Sequence, residues 1–203
     1  MKLYDSRLAP NPRRTRIFLV EKGIALPVEQ VDIGTMQHKT PEYAAINPLQ
    51  RLPALVLDDG SIITESIAIC RYFEMQQPDP PLFGVGAKDA ATVEMWNRRV
   101  EMNFFASVAA VFRHTHPAMK DLEVPQLPGW AEANRPRVMW FLELIDRELA
   151  TRQFVAGDRY TVADITMLVA VDFMKPARLA LPESAGNVKR WHSDVSARPS
   201  AKA

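Results

Sequence analysis

The chain has 203 residues, enough for one large domain or two small ones that need no metal or disulfide support. Its 25 basic and 24 acidic residues leave a net charge of +1, which carries no electrostatic footprint for nucleic acid or another anionic polymer. A single cysteine, Cys70, excludes an internal disulfide and points to a reducing compartment. No apolar run approaches the ~20 residues of a membrane span, and Met1–Asp5 reads straight into a strand rather than a signal peptide. A soluble, cytoplasmic protein with no membrane partner is therefore expected.

In chain order, Lys2 to Asp5 is a short strand. Pro10 and Pro12 break the segment Arg7 to Pro12, and Arg13 to Lys22 is helical, stopped by Gly23. Val28 to Ile33 alternates as a strand, which makes a β-α-β unit with parallel strands. Pro41 to Ile46 is one short helical piece. Leu52 precedes a proline and is pushed toward extended geometry. Asp59-Gly60 between two apolar runs predicts a hairpin, and Glu65 to Met75 a helix. A proline bend beside a helix N-terminus makes a small polar site for a peptide-like, partly anionic ligand.

Beyond Gln76-Gln-Pro-Asp-Pro-Pro the strand signal ends. Asp89 to Phe112 carries Trp96, Val100, Phe104 and Val108 at four-residue steps and reads as one long helix. Pro117 to Pro128 is a loop, and Gly129 to Leu149 a helix. Thr161-Val-Ala-Asp164 opens an apolar helix as a capping box, with Tyr160 and Ile165 placed for a hydrophobic staple. Asn187 to Ala197 is a weaker helix. The expected organisation is a small α/β domain over residues 1–77, a linker over 78–87 and an all-α domain over 88–203.

Several of these features together resemble the cytosolic glutathione transferases. They are Asn47-Pro48 with Leu52-Pro53-Ala-Leu, Asp58-Asp-Gly60, Glu65-Ser66-x-Ala-Ile, the proline-rich linker, and Ala156-Gly-Asp with Tyr160-Thr-Val-Ala-Asp-Ile165. Their order and spacing span most of the chain. The resemblance implies a thioredoxin-like N-terminal domain with an all-helical C-terminal domain, a cis Leu52-Pro53 bond and a homodimer. Leu3 to Leu19 is similar to the bacterial and fungal subgroup that lacks an active-site Tyr, Ser or Cys. Ala9 falls where theta-like members carry Ser, and Asn11 where cysteine-type members carry Cys. No hydroxyl or thiol is carried over to this position. In that subgroup the first helix's N-terminus and a water held through a Ser and a His support the thiolate. Ser107 and His114 are the nearest residues for those roles, with Ala109 and Arg113 also falling at the aligned positions.

The chemistry requires a thiolate, because a thiol is a poor nucleophile. Asn11, Arg13 and Arg14 have two readings: anion stabilisation at a helix start, or an ordinary proline-bounded helix with solvated arginines; the resemblance favours the first. It also implies Glu65 and Ser66 on the γ-glutamyl end, Leu52 and Pro53 along the cysteinyl backbone, and His38 and Lys39 on the glycyl carboxylate. Gln50 replaces the glycine the family often has in Asn-Pro-x-Gly, and is placed among the residues that reach the ligand. Met102, Phe105 and Phe112 are candidates for an apolar electrophile site. His114 and His116 lack further residues in metal-ligand register, so no metal is expected. Cys70 reads as a buried structural thiol and Asp164 as a structural cap. The expectation is a glutathione transferase with glutathione as co-substrate, no other cofactor, and a hydrophobic electrophile as second substrate. A non-catalytic binding or stress-response relative is the alternative, kept open by the missing Tyr, Ser or Cys. An isomerase is disfavoured because no Ser-Ser-Cys lies at the first helix.

Overall fold

Strands of three and four residues cannot hold themselves together, so the first sheet depends on the helices packed on it. The computed structural model describes residues 1–203. They form two units, 1–81 with 202–203, and 82–201. In the first unit, β1 (Lys2–Asp5), β2 (Val28–Gln30), β3 (Ala54–Val56) and β4 (Ile62–Thr64) lie in the order β2-β1-β3-β4. The β1–β2 pair is parallel, and the β1–β3 and β3–β4 pairs are antiparallel. With α1 (Pro10–Glu21), α2 (Pro41–Ile46) and α3 (Ser66–Gln76) this is the thioredoxin-like arrangement. α1 packs on α3. Leu3, Ile17, Phe18, Leu55, Ile69 and Cys70 are fully buried. A smaller cluster of Val31, Tyr43 and Leu52 lies under Tyr4, Ile33 and Ile46.

Two boundaries differ from the sequence expectation. α1 starts at Pro10, not Arg13. Prolines at the first and third helical positions lose nothing, since the first-turn N–H groups have no intrahelical acceptor. β2 stops at Gln30, not Ile33. Asp32 Oδ1 accepts from Gly34 N at 2.7 Å and Met36 takes φ 61°, which curls the chain into a turn.

The chain stays with the first unit as far as Pro81 because Lys22 grips it. This lysine is 2 % exposed. Its ammonium donates to the carbonyls of Gln77 (2.9 Å), Pro78 (3.1 Å) and Pro80 (2.5 Å) and sits 2.5 Å from Glu74 Oε2. Gln77 Nε2 donates back to the Lys22 carbonyl.

The second unit is helical: α4 (Gly86–Arg99), a π-helical stretch (Val100–Phe105), α5 (Ala106–Thr115), α6 (Pro128–Leu149), α7 (Val162–Met174) and α8 (Gly186–Ser196). The helix expected over 89–112 is thus present over 86–115, but its middle is wound at π pitch. That winding frees carbonyls, and side chains one turn on take two of them: Asn103 Nδ2 donates to Arg99 O at 3.1 Å and Ser107 Oγ to Asn103 O at 2.9 Å. Phe104 stacks on Phe141 at 5.4 Å between ring centroids, joining the π stretch to α6. Residues 162–171 of α7 are buried without exception. All of them are apolar except Asp164 and Thr166, and both of those are hydrogen-bonded, which is what lets every face of the stretch be buried.

Candidate functional site

The register of the first sheet sets the site. Tyr4, Ala54 and Thr64 pair in one row across β1, β3 and β4. The next residues of all three chains, Asp5-Ser6, Leu52-Pro53 and Glu65-Ser66, therefore emerge at the same end. From that end α1 and α3 depart.

Arg14 ties the two helix starts together. Its guanidinium is buried, 3 % exposed. Nε and Nη2 donate to Ser66 Oγ at 3.1 and 2.8 Å, and Nη2 also donates to Asn11 Oδ1 at 3.0 Å. Two consequences follow from donor and acceptor inventory. Ser66 Oγ is held as an acceptor, so its proton is left to donate. Asn11 Oδ1 is held as an acceptor, so its NH₂ faces away from the guanidinium. Main-chain donors are scarce here: Pro10 and Pro12 have none, and Arg13 N donates to Ala9 O at 3.2 Å. That leaves the N–H of Asn11, on an exposed residue, as the open one of α1's first turn.

Glu65 is exposed and takes φ 66°, ψ 118°, a conformation that costs a residue with a Cβ of order 1–3 kcal/mol. Its side chain does not cap α3. Strain of this kind persists only where the surrounding structure holds it, and it clusters at functional sites.

The loop before the cis Leu52-Pro53 bond is braced from two sides. Asn47 Nδ2 and Tyr43 Oη both donate to Arg51 O, at 2.7 and 2.8 Å, and Asn47 Oδ1 accepts from Leu49 N at 3.0 Å. Leu52 lies outside both strand ladders, which begin at Ala54, so its main chain takes no part in the sheet. Gln50 adopts φ 52°, the left-handed conformation that a glycine would supply, so the loop keeps its shape without one. Its Nε2 donates to Lys39 O at 3.3 Å. Lys39 is exposed, whereas His38 is buried with Nδ1 unpartnered. Burial, and secondarily the Lys39 charge, lower the His38 pKa below its ordinary value. Nothing in the sequence points to Tyr43 and Arg51; the Asn-Pro pair at 47–48 is the one local signal.

Cys70 is fully buried and burial pushes its thiol up to about 12, against the nearby Arg14 charge. A thiol so rarely ionised is inert.

In the second unit, Phe105 and Phe112 meet on Phe173 of α7, at 6.2 and 4.8 Å between ring centroids. Phe173 was not foreseen, because its contact spans distant segments. His116 stacks on Phe112 at 4.6 Å. Met102 is 67 % exposed, the least covered of the three pocket candidates. Ser107 is buried and its proton is given to Asn103 O. His114 Nδ1 accepts from Leu127 N at 3.1 Å, while Nε2 lies 3.8 Å from Glu123 Oε1. Asp164 Oδ2 accepts from Thr161 N and Oγ1, and Oδ1 from Val155 N and Trp191 Nε1. It is a structural cap, as expected.

Residues 9–76 match the family model of the glutathione S-transferase N-terminal domain, and residues 109–199 that of the C-terminal domain. The chain is 32 % identical over 205 residues to glutathione S-transferase 2 of Saccharomyces cerevisiae, covering all of this chain and 88 % of that protein. It is 32 % identical to glutathione S-transferase 3 of Zea mays, covering 98 % of this chain and 90 % of that one. Among solved structures, yeast Gtt2 superposes with a TM-score of 0.95 at 31 % identity, covering 100 % of this chain and 99 % of that one. A glutathione S-transferase domain-containing protein of Marinobacter aquaeolei does so with a TM-score of 0.95 at 36 % identity, covering 98 % and 99 %. No helix is long and apolar enough to cross a membrane. A thioredoxin-like unit that leaves two helix starts open, a helical unit, and full-length relatives of one activity agree: the chain belongs to the glutathione S-transferase family and is a glutathione transferase.

Proposed function

We propose that this transferase is of the kind that activates glutathione without a Tyr, Ser or Cys, and that Asn11 supplies the donors that hold the thiolate. The observation that carries this reading is the pairing of Asn11 Oδ1 with Arg14, which turns the side-chain amide outward beside the one open main-chain N–H of α1. A reference thiol has pKa ~8.5, and each unit of lowering requires about 1.4 kcal/mol of preference for the anion. A helix dipole alone supplies about 0.3–1 kcal/mol at an exposed end. Hydrogen bonds to a charged group contribute about 1.5–3 kcal/mol each. Two N–H donors from Asn11 therefore exceed what a shift of one unit needs, where the dipole falls short. The positive charges of Arg13 and Arg14 act in the same direction.

Glutathione is bound through its ends. The Ser66 hydroxyl and the α3 N-terminus take the γ-glutamyl carboxylate, and Glu65 takes the ammonium. The Leu52 main chain pairs with the cysteinyl backbone in strand fashion, beside Pro53. Lys39, His38 and Gln50 take the glycyl carboxylate. The second substrate is a hydrophobic electrophile received by Phe105, Phe112 and Met102. Ser107 and His114 keep the part the resemblance assigns them, ordering a water for the thiolate. The reaction requires no metal and no covalent enzyme intermediate. Catalysis is positioning with electrostatic stabilisation of sulfur. A cytoplasmic homodimer engaged in detoxification completes the reading.

The test is an ultraviolet titration of the glutathione thiolate on the enzyme, run beside turnover of a chlorodinitrobenzene-type electrophile. The expected bound thiol titrates about one unit or more below ~8.5. An unshifted thiol in a protein still retained on immobilised glutathione rules out this mode of activation.

A further inference from the structure

We propose that Arg16 is a positioning residue for the transferase reaction: through Asp5 and two loop carbonyls it sets where the start of α1 stands. The inference rests on the reading of Asn11 given above. Asp5, the last residue of β1, is completely buried. Its Oδ1 accepts from Arg16 Nη1 at 2.6 Å and its Oδ2 from Gln30 Nε2 at 2.6 Å. The same guanidinium reaches the connection between β1 and α1: Nη1 donates to Ser6 O at 3.4 Å and Nη2 to Arg7 O at 3.0 Å. Ala9 N closes the turn on Ser6 O at 3.1 Å. Arg16 sits in the second turn of α1, so the helix holds its own entry loop against the sheet.

Little else holds that loop. Arg7 is exposed and Leu8 is 94 % exposed, so apolar packing does not fix it. A buried ion pair is weak evidence of a role in stability, since an apolar pair of the same volume often serves as well. What an apolar pair cannot do is bind one carboxylate and two carbonyls at once. Here the three acceptors are reached from two separate nitrogens of one rigid fork, Nη1 and Nη2, a spread that the point charge of a lysine at position 16 does not reproduce. Asn11 lies two residues beyond Ala9, so the loop's conformation is passed directly to the N–H groups assigned to the sulfur. Misplacement of a reacting group by about 1 Å costs up to ~100-fold in rate.

The deciding variant is Arg16→Lys, which keeps the positive charge. Any shift it causes in the bound thiol is then geometric and not a lost field. The expected result is a rise of about half a pH unit or more in the bound thiol's titration and a fall of about tenfold in kcat, with glutathione Kd within about threefold of wild type. Wild-type titration and kcat in folded Arg16→Lys overturn the proposal. Should Arg16→Lys not fold, Asp5→Asn decides, because it keeps the shape of the side chain but replaces one of the two oxygens that now accept from Arg16 and Gln30 with a donor. A shift in the same direction supports the proposal and an unmoved thiol overturns it. If the wild-type thiol itself proves unshifted, the reading of Asn11 fails first and takes this one with it. If wild type is shifted and both variants match it, only the role of Arg16 fails.

Discussion

Two helices of this protein begin in opposite ways. The start of α7 is closed: four donors converge on Asp164, from Thr161 N (3.0 Å) and Oγ1 (3.1 Å), Val155 N (2.8 Å) and Trp191 Nε1 (2.9 Å). The start of α3 is open: its N-cap, Glu65, makes no capping bond and is held at φ 66°. α1 goes further, with an N-cap alanine that has no side-chain oxygen and prolines that remove two of the donors. The capped end of α7 is buried in the core. In the proposed reading the uncapped ends of α1 and α3 take a ligand's thiolate and carboxylate as their acceptors, so local stability is given up there for binding.

The largest effect should come from opening the closed end. Asp164→Ala leaves three buried N–H groups without an acceptor, and the loss expected at neutral pH is about 3–5 kcal/mol of unfolding free energy. Urea unfolding measures it. Glutathione affinity of the molecules still folded should not change; a parallel loss of affinity would break the contrast between the two helix starts. The pH dependence has a definite sign. Burial pushes the Asp164 carboxyl up to about 6, from an ordinary 3.8, against the four hydrogen bonds that favour the carboxylate. A folded-state value above the unfolded one means a contribution that is complete below the unfolded pKa and is lost as pH rises through about 6. The cost of Asp164→Ala should therefore be greater at pH 4 than at pH 7, by up to ~3 kcal/mol at about 1.4 kcal/mol per unit.

Closing or relaxing the open end should do the reverse. Glu65→Gly removes the carboxylate and also relieves the positive φ, which glycine adopts at no steric cost. Glutathione binding should weaken by about 1.5–3 kcal/mol, the value of a charge-assisted hydrogen bond, while the melting temperature stays at or above wild type. Glu65→Ala should weaken binding equally without the gain in stability. Calorimetric titration and thermal melts of the pair separate the two contributions. Equal melting temperatures for the two variants would mean that the strain at residue 65 is not real.

How far the sequence reveals this contrast depends on distance along the chain. The Thr161–Asp164 box and the hairpin at Asp59-Gly60 are local patterns, and both lie where they were read. The Leu52-Pro53 cis bond follows the family resemblance. The beginning of α1 lies three residues earlier than the sequence pattern predicts, because proline breaks a helix only in its interior; at the first and third helical positions it removes donors that have nothing to bond. Gln50 was a departure in composition only, since a side chain at φ 52° reproduces the glycine turn. The Arg14–Ser66 clamp joins residues 52 apart, and nothing in either segment announces the other. Phe173 is invisible for the same reason: its partners Phe105 and Phe112 lie on another helix.

The smallest effect separates a catalytic polar pair in the second unit from a merely structural one. Ser107 has given its proton to Asn103 O, so toward a water it can only accept. His114 accepts at Nδ1 from Leu127 N, so its neutral ring carries the proton on Nε2 and can donate. One acceptor and one donor are what holding a water requires. His114→Ala and Ser107→Ala should each slow turnover by about threefold to tenfold, with glutathione KM little changed. Stability should fall by no more than ~1 kcal/mol for Ser107→Ala, the net value of one neutral hydrogen bond. If both residues act through one water, as proposed, the double variant should be no slower than the worse single variant. Additive losses would mean two independent roles. Unchanged turnover in both would leave the open start of α1 as the whole of the activating machinery, and would sharpen the division of labour between a closed, stabilising helix end and an open, reactive one.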